Sequence, residues 1–330
     1  MTKNWLSLHR ARRSAISAAV FCVVITGGCK TGDDAKAAAT QLAATAKCLS
    51  DYYSALATIL TETDSLNSVE QVMYGIPYDP ATQAQIADIS AEIKKRAALS
   101  KDLSDLAESL ASLTGSSAAT DASASAAKLG TALASVKSIK PDMGSAEQTA
   151  MKAAAGLIAT AIQEHKEREA ARGMDQLTKG LLDFFVKEEP DYQSIGNQYA
   201  VLSSSLALSL LQNGQTDPAG FFKAALDPYG LVPQITDPKL KAGIEKLAEK
   251  QIADKAEALK TSQKQAAGDM EKSLRQMSER VDLVANEKPM ELRSAPLSIA
   301  NVEKWAAEFQ SAAGLNTPAA SKSKDTTKDQ

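Results

Sequence analysis

Residues 33–62 read DDAKAAATQLAATAKCLSDYYSALATILTE. Leu42, Ala46, Leu49, Tyr53, Leu56 and Leu60 recur in that stretch at alternating steps of four and three. Such spacing lays one apolar stripe along a helix in the heptad manner. Asp33 and Asp34 open the stretch, suited to accept from free N–H groups and to meet the positive end of the helix. A strand would show an apolar residue at every second position, and no segment of the chain keeps that alternation. The fold class read from these residues is all-α.

Toward the C terminus the helical pattern repeats. Asn67, Gly75-Ile76-Pro77 and Asp79-Pro80 form a turn-rich break, because a residue before proline resists the helical region. A second helix is predicted from Pro80 to about Leu113, striped by Ile86, Ile89, Ile93, Leu99, Leu103 and Leu106. Lys94-Lys95-Arg96 falls on its solvated face. Two helices joined by so modest a loop lie antiparallel. Beyond Gly115-Ser116-Ser117, an Ala/Ser-rich run leads into Leu129, Leu133 and Val136. It reads as a weak helix, since alanine is the best helix former. From Ser145 a longer helical region runs toward Glu189, with Glu164–Glu169 as an exposed charged turn in its middle and Pro190 as its stop.

Ile195–Leu211 has a different character, with no charge anywhere between Asp191 and Asp217. Such a helix is expected in the centre of a bundle. Its functional alternative is a surface that enters lipid or receives a partner. Phe221, Phe222, Leu226, Leu231 and Val232, in a Gly/Pro-rich connection, are expected to cap the bundle's end. The longest helix follows, from Pro238 to about Glu287, with Gly268 as its weak point. A last short helix carries Ile299, Val302, Trp305 and Phe309. Residues 35–313 therefore read as an elongated antiparallel helical bundle with long coiled-coil-like hairpins. Residues 314–330 lack a large apolar anchor beyond Leu315 and read as a disordered polar tail.

The whole chain has 330 residues, 37 Lys and Arg against 40 Asp and Glu, and 44% hydrophobic side chains. That excludes a mainly disordered chain and a strongly basic nucleic-acid binder. The N terminus departs from the rest. Lys3, Arg10, Arg12 and Arg13 are followed by the apolar run Ala15–Ile25 and the small exit Thr26-Gly27-Gly28. A basic start, a short apolar run and a small-residue exit make an export signal. The run is shorter than the roughly 20 residues a membrane span needs. Arg12-Arg13 followed by Ser14-Ala15-Ile16 fits twin-arginine export poorly, which favours general secretion.

Ile25-Thr26-Gly27-Gly28-Cys29 resembles the lipobox of bacterial lipoproteins, with Thr26 where leucine is usual. The resemblance covers this segment only. It implies cleavage of residues 1–28 and acylation of Cys29, with residues 29–34 as a short tether to a body held close to the membrane. Lys30, in place of aspartate after the cysteine, implies the outer membrane of a Gram-negative cell, on its periplasmic side, or the cell surface of a Gram-positive one. Removing the leader takes 37 bases to 33 against an unchanged 40 acids, and the net charge from −3 to −7. His9 and Cys22 leave with it.

Chemistry has little to work with. The chain lacks the HExxH, paired CxxC, Walker and Gly-x-Ser-x-Gly patterns. His165 and Glu169 could share a helix face, but zinc takes three or four protein ligands and this pair supplies two. Cys48, beside the apolar stripe, reads as a small core residue. No catalytic, cofactor or metal site is expected, and Cys29 is the one site residue, for lipid. Two functions follow from this. The first is a lipid-anchored, non-catalytic interaction or structural module that meets an envelope protein or its own copies, and not nucleic acid. The second is a membrane-active protein resembling α-helical pore-forming toxins and using 195–211.

Overall fold

The stripe at Leu42–Leu60 is carried by the first helix of the computed structural model, which describes residues 29–77, 79–112, 118–137, 145–164, 166–217, 227–230, 237–286, 288 and 299–312. Its helices are α1 (Cys29–Tyr74), α2 (Pro80–Ala111), α3 (Ala118–Ser135), α4 (Ser145–Gln163), α5 (Glu167–Gln212), α6 (Pro238–Ala285) and α7 (Ile299–Ala312). A single 3-10 turn spans Asp227–Tyr229. No strand occurs among the described residues, and the fold is all-α. The leader 1–28, Phe221, Phe222, Leu226, Leu231, Val232, the tail 314–330 and the side chain of Phe309 lie outside the described residues.

Helix α1 is the axis of the bundle. All six stripe residues are buried, and so are Thr45, Cys48, Tyr52, Ala55 and Ile59 on its other faces. The sequence showed one stripe because only one face is continuously apolar; packing by α2, α5, α6 and α7 covers the rest. Each fully buried large side chain contributes about 1.5–3 kcal/mol of transfer free energy. Tyr52 stacks obliquely on Trp305 of α7 at 4.9 Å between ring centroids, and Tyr53 meets Tyr192 of α5 edge-on at 5.5 Å.

Register follows from a few bonds. Ser50 Oγ donates to the Ala97 carbonyl at 2.9 Å and Ser104 Oγ to the Ala43 carbonyl at 3.0 Å, so α1 and α2 run antiparallel. Lys128 meets Asp102 at 2.6 Å, while the Lys137 N–H donates to Glu92 at 2.8 Å, which sets α3 antiparallel to α2. On α6, Asp282 meets Lys179 and Glu249 accepts from Gln212, antiparallel to α5. Helices α2, α3, α4 and α5 pack each on the next, with α2 and α5 against α1; α6 and α7 pack on α1 and on each other.

Four readings need correction. Helix α1 starts at Cys29, so Lys30–Gly32 are helical and no extended tether separates Asp33 from the cysteine. One glycine in a helix costs only about 1 kcal/mol, too little to stop it. The same helix continues through Asn67 to Tyr74. The chain reverses at Glu164–Lys166, where the charged run has no apolar face to pack, and α4 folds back on α5. Pro190 does not end a helix: α5 passes through it.

Two glycines on that fold have opposite roles. A Cβ on Gly173 would stand 2.7 Å from Ile158 Cγ1 and 3.1 Å from the Ala154 carbonyl oxygen, so its bare backbone sets the α4–α5 approach. Nothing lies within 4 Å of a Cβ on Gly268. Gly268→Ala is expected to stabilise the protein by about 0.5–1 kcal/mol through helix propensity. Gly173→Ala gains the same propensity but is expected to lose about 1–3 kcal/mol to overpacking, a net destabilisation. Urea titration of both variants checks the opposite signs.

Candidate functional site

The half of the bundle that contains Cys29 is the better packed one. There α3 and α4 fill the space between α2 and α5, with Ala122, Ala126, Leu129 and Leu133 facing Ala154, Ala155 and Ile158. Gly130 brings the two helices to ordinary contact at Ala155. Neither hairpin arm reaches far beyond the level of Arg96 and Glu188. Past that level, α2 and α5 stand apart across α1.

A buried ion pair marks the boundary. Arg96 is 1% exposed and Glu188 is fully buried. The guanidinium donates twice to the Glu188 carboxylate, from Nε at 3.0 Å and from Nη2 at 2.9 Å. Two more of its hydrogens go to the Glu92 carbonyl at 2.9 Å and the Lys137 carbonyl at 2.8 Å. Tyr192 Oη donates to Glu188, and the Phe184 ring lies 5.0 Å below the guanidinium carbon. Burial works against the cation, but the surrounding Tyr192, Glu188 and Tyr53 outweigh it and hold its pKa above the usual value. Burial also pushes the Tyr192 and Tyr53 hydroxyls up, so both remain protonated donors at neutral pH. One side chain thus ties α2 to α5 and to the end of α3. The sequence reading placed Arg96 on a solvated face; the structure places it in the core.

Beyond this pair lies an open groove of about 800 Å³ between α1, α2 and α5. Ile86, Val201 and Leu202 supply its apolar floor. Thr63, Asn67 and Glu70 of α1 and Gln193, Asn197 and Gln198 of α5 give it polar walls. The Thr63 hydroxyl already donates to the Ile59 carbonyl at 2.7 Å, which allows it to face the groove without an unmet hydrogen. Ile195–Leu211 forms much of this wall and is not the bundle's centre. Ile195, Ala200, Leu206 and Leu211 are buried, Tyr199, Leu202, Leu208 and Leu210 are half-buried, and Val201 is 53% exposed. The reason is that α3 and α4 end before reaching it.

Exposed apolar side chains gather in the same half. Val69, Val72, Tyr74 and Ile76 stand out at the end of α1, with Val72 at 84%. Leu240 and Leu247 do so on the first turns of α6, and Tyr229 on the 3-10 turn between α5 and α6. Val69, Val72 and Ile76, close together in the chain at the end of one helix, are the candidates for a contact surface. Charge is one-sided as well. From residue 48 to 93 the chain holds seven acids and no Lys, Arg or His; from 188 to 217 it holds four acids and no base.

The residues singled out from sequence fare differently. Cys29 is the first residue of α1, at the opposite end of that helix from Val72 and Tyr74; its side chain lies outside the described residues. Cys48 is buried, its thiol within 3.9 Å of the Ile299 carbonyl, and burial with Glu303 and Asp51 nearby pushes its pKa up to about 12. It is a core residue with no thiolate at neutral pH. His165 lies outside the described residues. Among the described residues, no three His, Cys, Asp or Glu side chains stand together to hold a metal, and no helix is long and apolar enough to cross a membrane. Comparison with family models, with curated proteins and with solved structures gives no match.

Proposed function

We propose that the protein is a lipid-anchored, non-catalytic interaction module. One observation carries this reading: α1 begins at Cys29 and, over a length of 46 residues, runs to an end among exposed apolar side chains. At about 1.5 Å per residue, one helix separates the acylation position from that surface by roughly 69 Å. The lipobox-like sequence supports a membrane at the first end, with the outer membrane favoured by Lys30. The exposed Val69, Val72 and Ile76 support a protein surface at the second. A body whose free half carries acids without bases on α1, α2 and α5 is repelled by anionic lipid and by nucleic acid, which favours a protein as the partner.

Chemical cross-linking in the source membranes tests it. The wild-type chain is expected to give a discrete adduct with another envelope protein or a second copy. Val72→Asp/Ile76→Asp, at two solvent-facing positions, is expected to abolish that adduct while leaving helix content and membrane retention unchanged. An adduct of undiminished yield in the double variant would place the partner elsewhere and overturn the reading; so would a wild-type chain that never forms one.

A further inference from the structure

We infer that the groove between α1, α2 and α5 docks a cationic amphipathic helix of a partner protein; the inference rests on the interaction-module reading above and assigns it a site. Shape is the first support. The groove lies between α2 and α5 past the Arg96–Glu188 pair, beyond the stretch where α3 and α4 pack between those two helices. Its wall on α5 runs from Pro190 to Ser205, which at about 1.5 Å per residue is roughly 22 Å, or about four turns of a helix.

Composition of the groove is the second support. Ile86, Val201 and Leu202 offer the apolar contact that a helix laid in a groove needs along one face. Around them the side chains are polar and uncharged except Glu70, the one ionisable residue of the lining. Glu62, Asp64, Asp79 and Asp88 add further negative charge on the same two helices, and residues 48–93 hold no base to offset them. The lysines of this half, from Lys239 through Lys264, belong to α6, which packs on α1 and α5 and contributes nothing to the groove wall. Apolar lining side chains beside Glu70, on segments of α1 and α2 that hold acids and no base, complement a helix with one apolar and one basic face, and disfavour an acidic helix or an anionic bilayer.

The test uses the full acylated chain in discs of zwitterionic lipid, with empty discs subtracted. The probes are three fluorescent amphipathic peptides of about 18 residues, built from Leu with Lys, Gln or Glu. The Leu/Lys peptide is expected to bind saturably, about tenfold or more tighter than Leu/Gln, with no measurable Leu/Glu binding. Asn197→Arg/Val201→Arg, in the groove, is expected to weaken it by about tenfold or more. Glu249→Arg/Glu257→Arg, on α6, changes the net charge further yet is expected to shift binding by less than about threefold. Equal weakening by both pairs, equal binding of Leu/Lys and Leu/Gln, or no saturable binding overturns the site. Uptake of phosphatidylglycerol vesicles, or dimerisation of the chain, that is lost in the groove variant also overturns it by naming a different occupant. Failure here alongside a membrane adduct that Val72→Asp/Ile76→Asp abolishes removes the groove and leaves the module; absence of any adduct removes the reading beneath both.

Discussion

Arg96→Met is expected to destabilise the fold by about 3–5 kcal/mol, the usual cost of stranding a buried charge. The substitution leaves the Glu188 carboxylate buried without its counter-charge, and it strips the Lys137 carbonyl of its guanidinium donor, while the Glu92 carbonyl keeps the helical N–H of residue 96. Glu188→Leu is expected to cost a similar amount from the other side, because the guanidinium then faces Phe184 with no counter-charge. The double variant Arg96→Met/Glu188→Leu removes both charges. It is expected to be more stable than either single variant, and below wild type by about 1–3 kcal/mol for the Lys137 carbonyl that loses its donor. Urea titration followed by circular dichroism reads all three. A single variant that costs less than about 1 kcal/mol would mean that water reaches the pair and that α2 is not tied to α5 there. The consequence reaches the groove, since this pair sets the gap between its two outer walls.

Cys29→Ala is expected to move the protein from the membrane fraction to the soluble fraction, or to leave the leader uncleaved. Acyl chains contribute about 0.8 kcal/mol for each buried methylene, and one chain of myristoyl length gives only marginal binding, so stable retention needs more than one. No helix among the described residues is long and apolar enough to cross a bilayer. Carbonate extraction followed by blotting of the two fractions measures the shift. Unchanged membrane retention of Cys29→Ala, with the leader removed, would mean that another feature holds the chain.

Much of the architecture was legible because apolar spacing is a local property. Pro80 and Pro238, each preceded by an aspartate whose carboxylate accepts from the N–H two residues on, start α2 and α6 where the sequence places them. Leu129 and Leu133 were enough to make a helix of an Ala/Ser-rich run. Arg96 could not be read in this way. Lys94, Lys95 and Arg96 look alike in sequence, and the burial of the third depends on a glutamate 92 residues further along. Pro190 misled for a related reason. A helical proline costs about 3 kcal/mol, but Phe185 and Tyr192 on either side of it are fully buried against α1, and that packing outweighs the cost. The groove is the least legible feature of all, because it arises where α3 and α4 end between two helices far apart in sequence. One local trace is the charge-free run between Asp191 and Asp217, read as a helix at the centre of the bundle; the acid-only stretches 48–93 and 188–217 are local too, but only the packing of α1, α2 and α5 brings them to one half of the bundle.

Native mass spectrometry of the full chain released from its own membranes in mild detergent tests the anchored-module reading most directly. The expected spectrum shows a chain beginning at Cys29, heavier by its acyl groups, in whole-number ratio with a second protein or a second copy. A chain that retains residues 1–28, lacks acyl mass, or flies alone as an acylated monomer would contradict it.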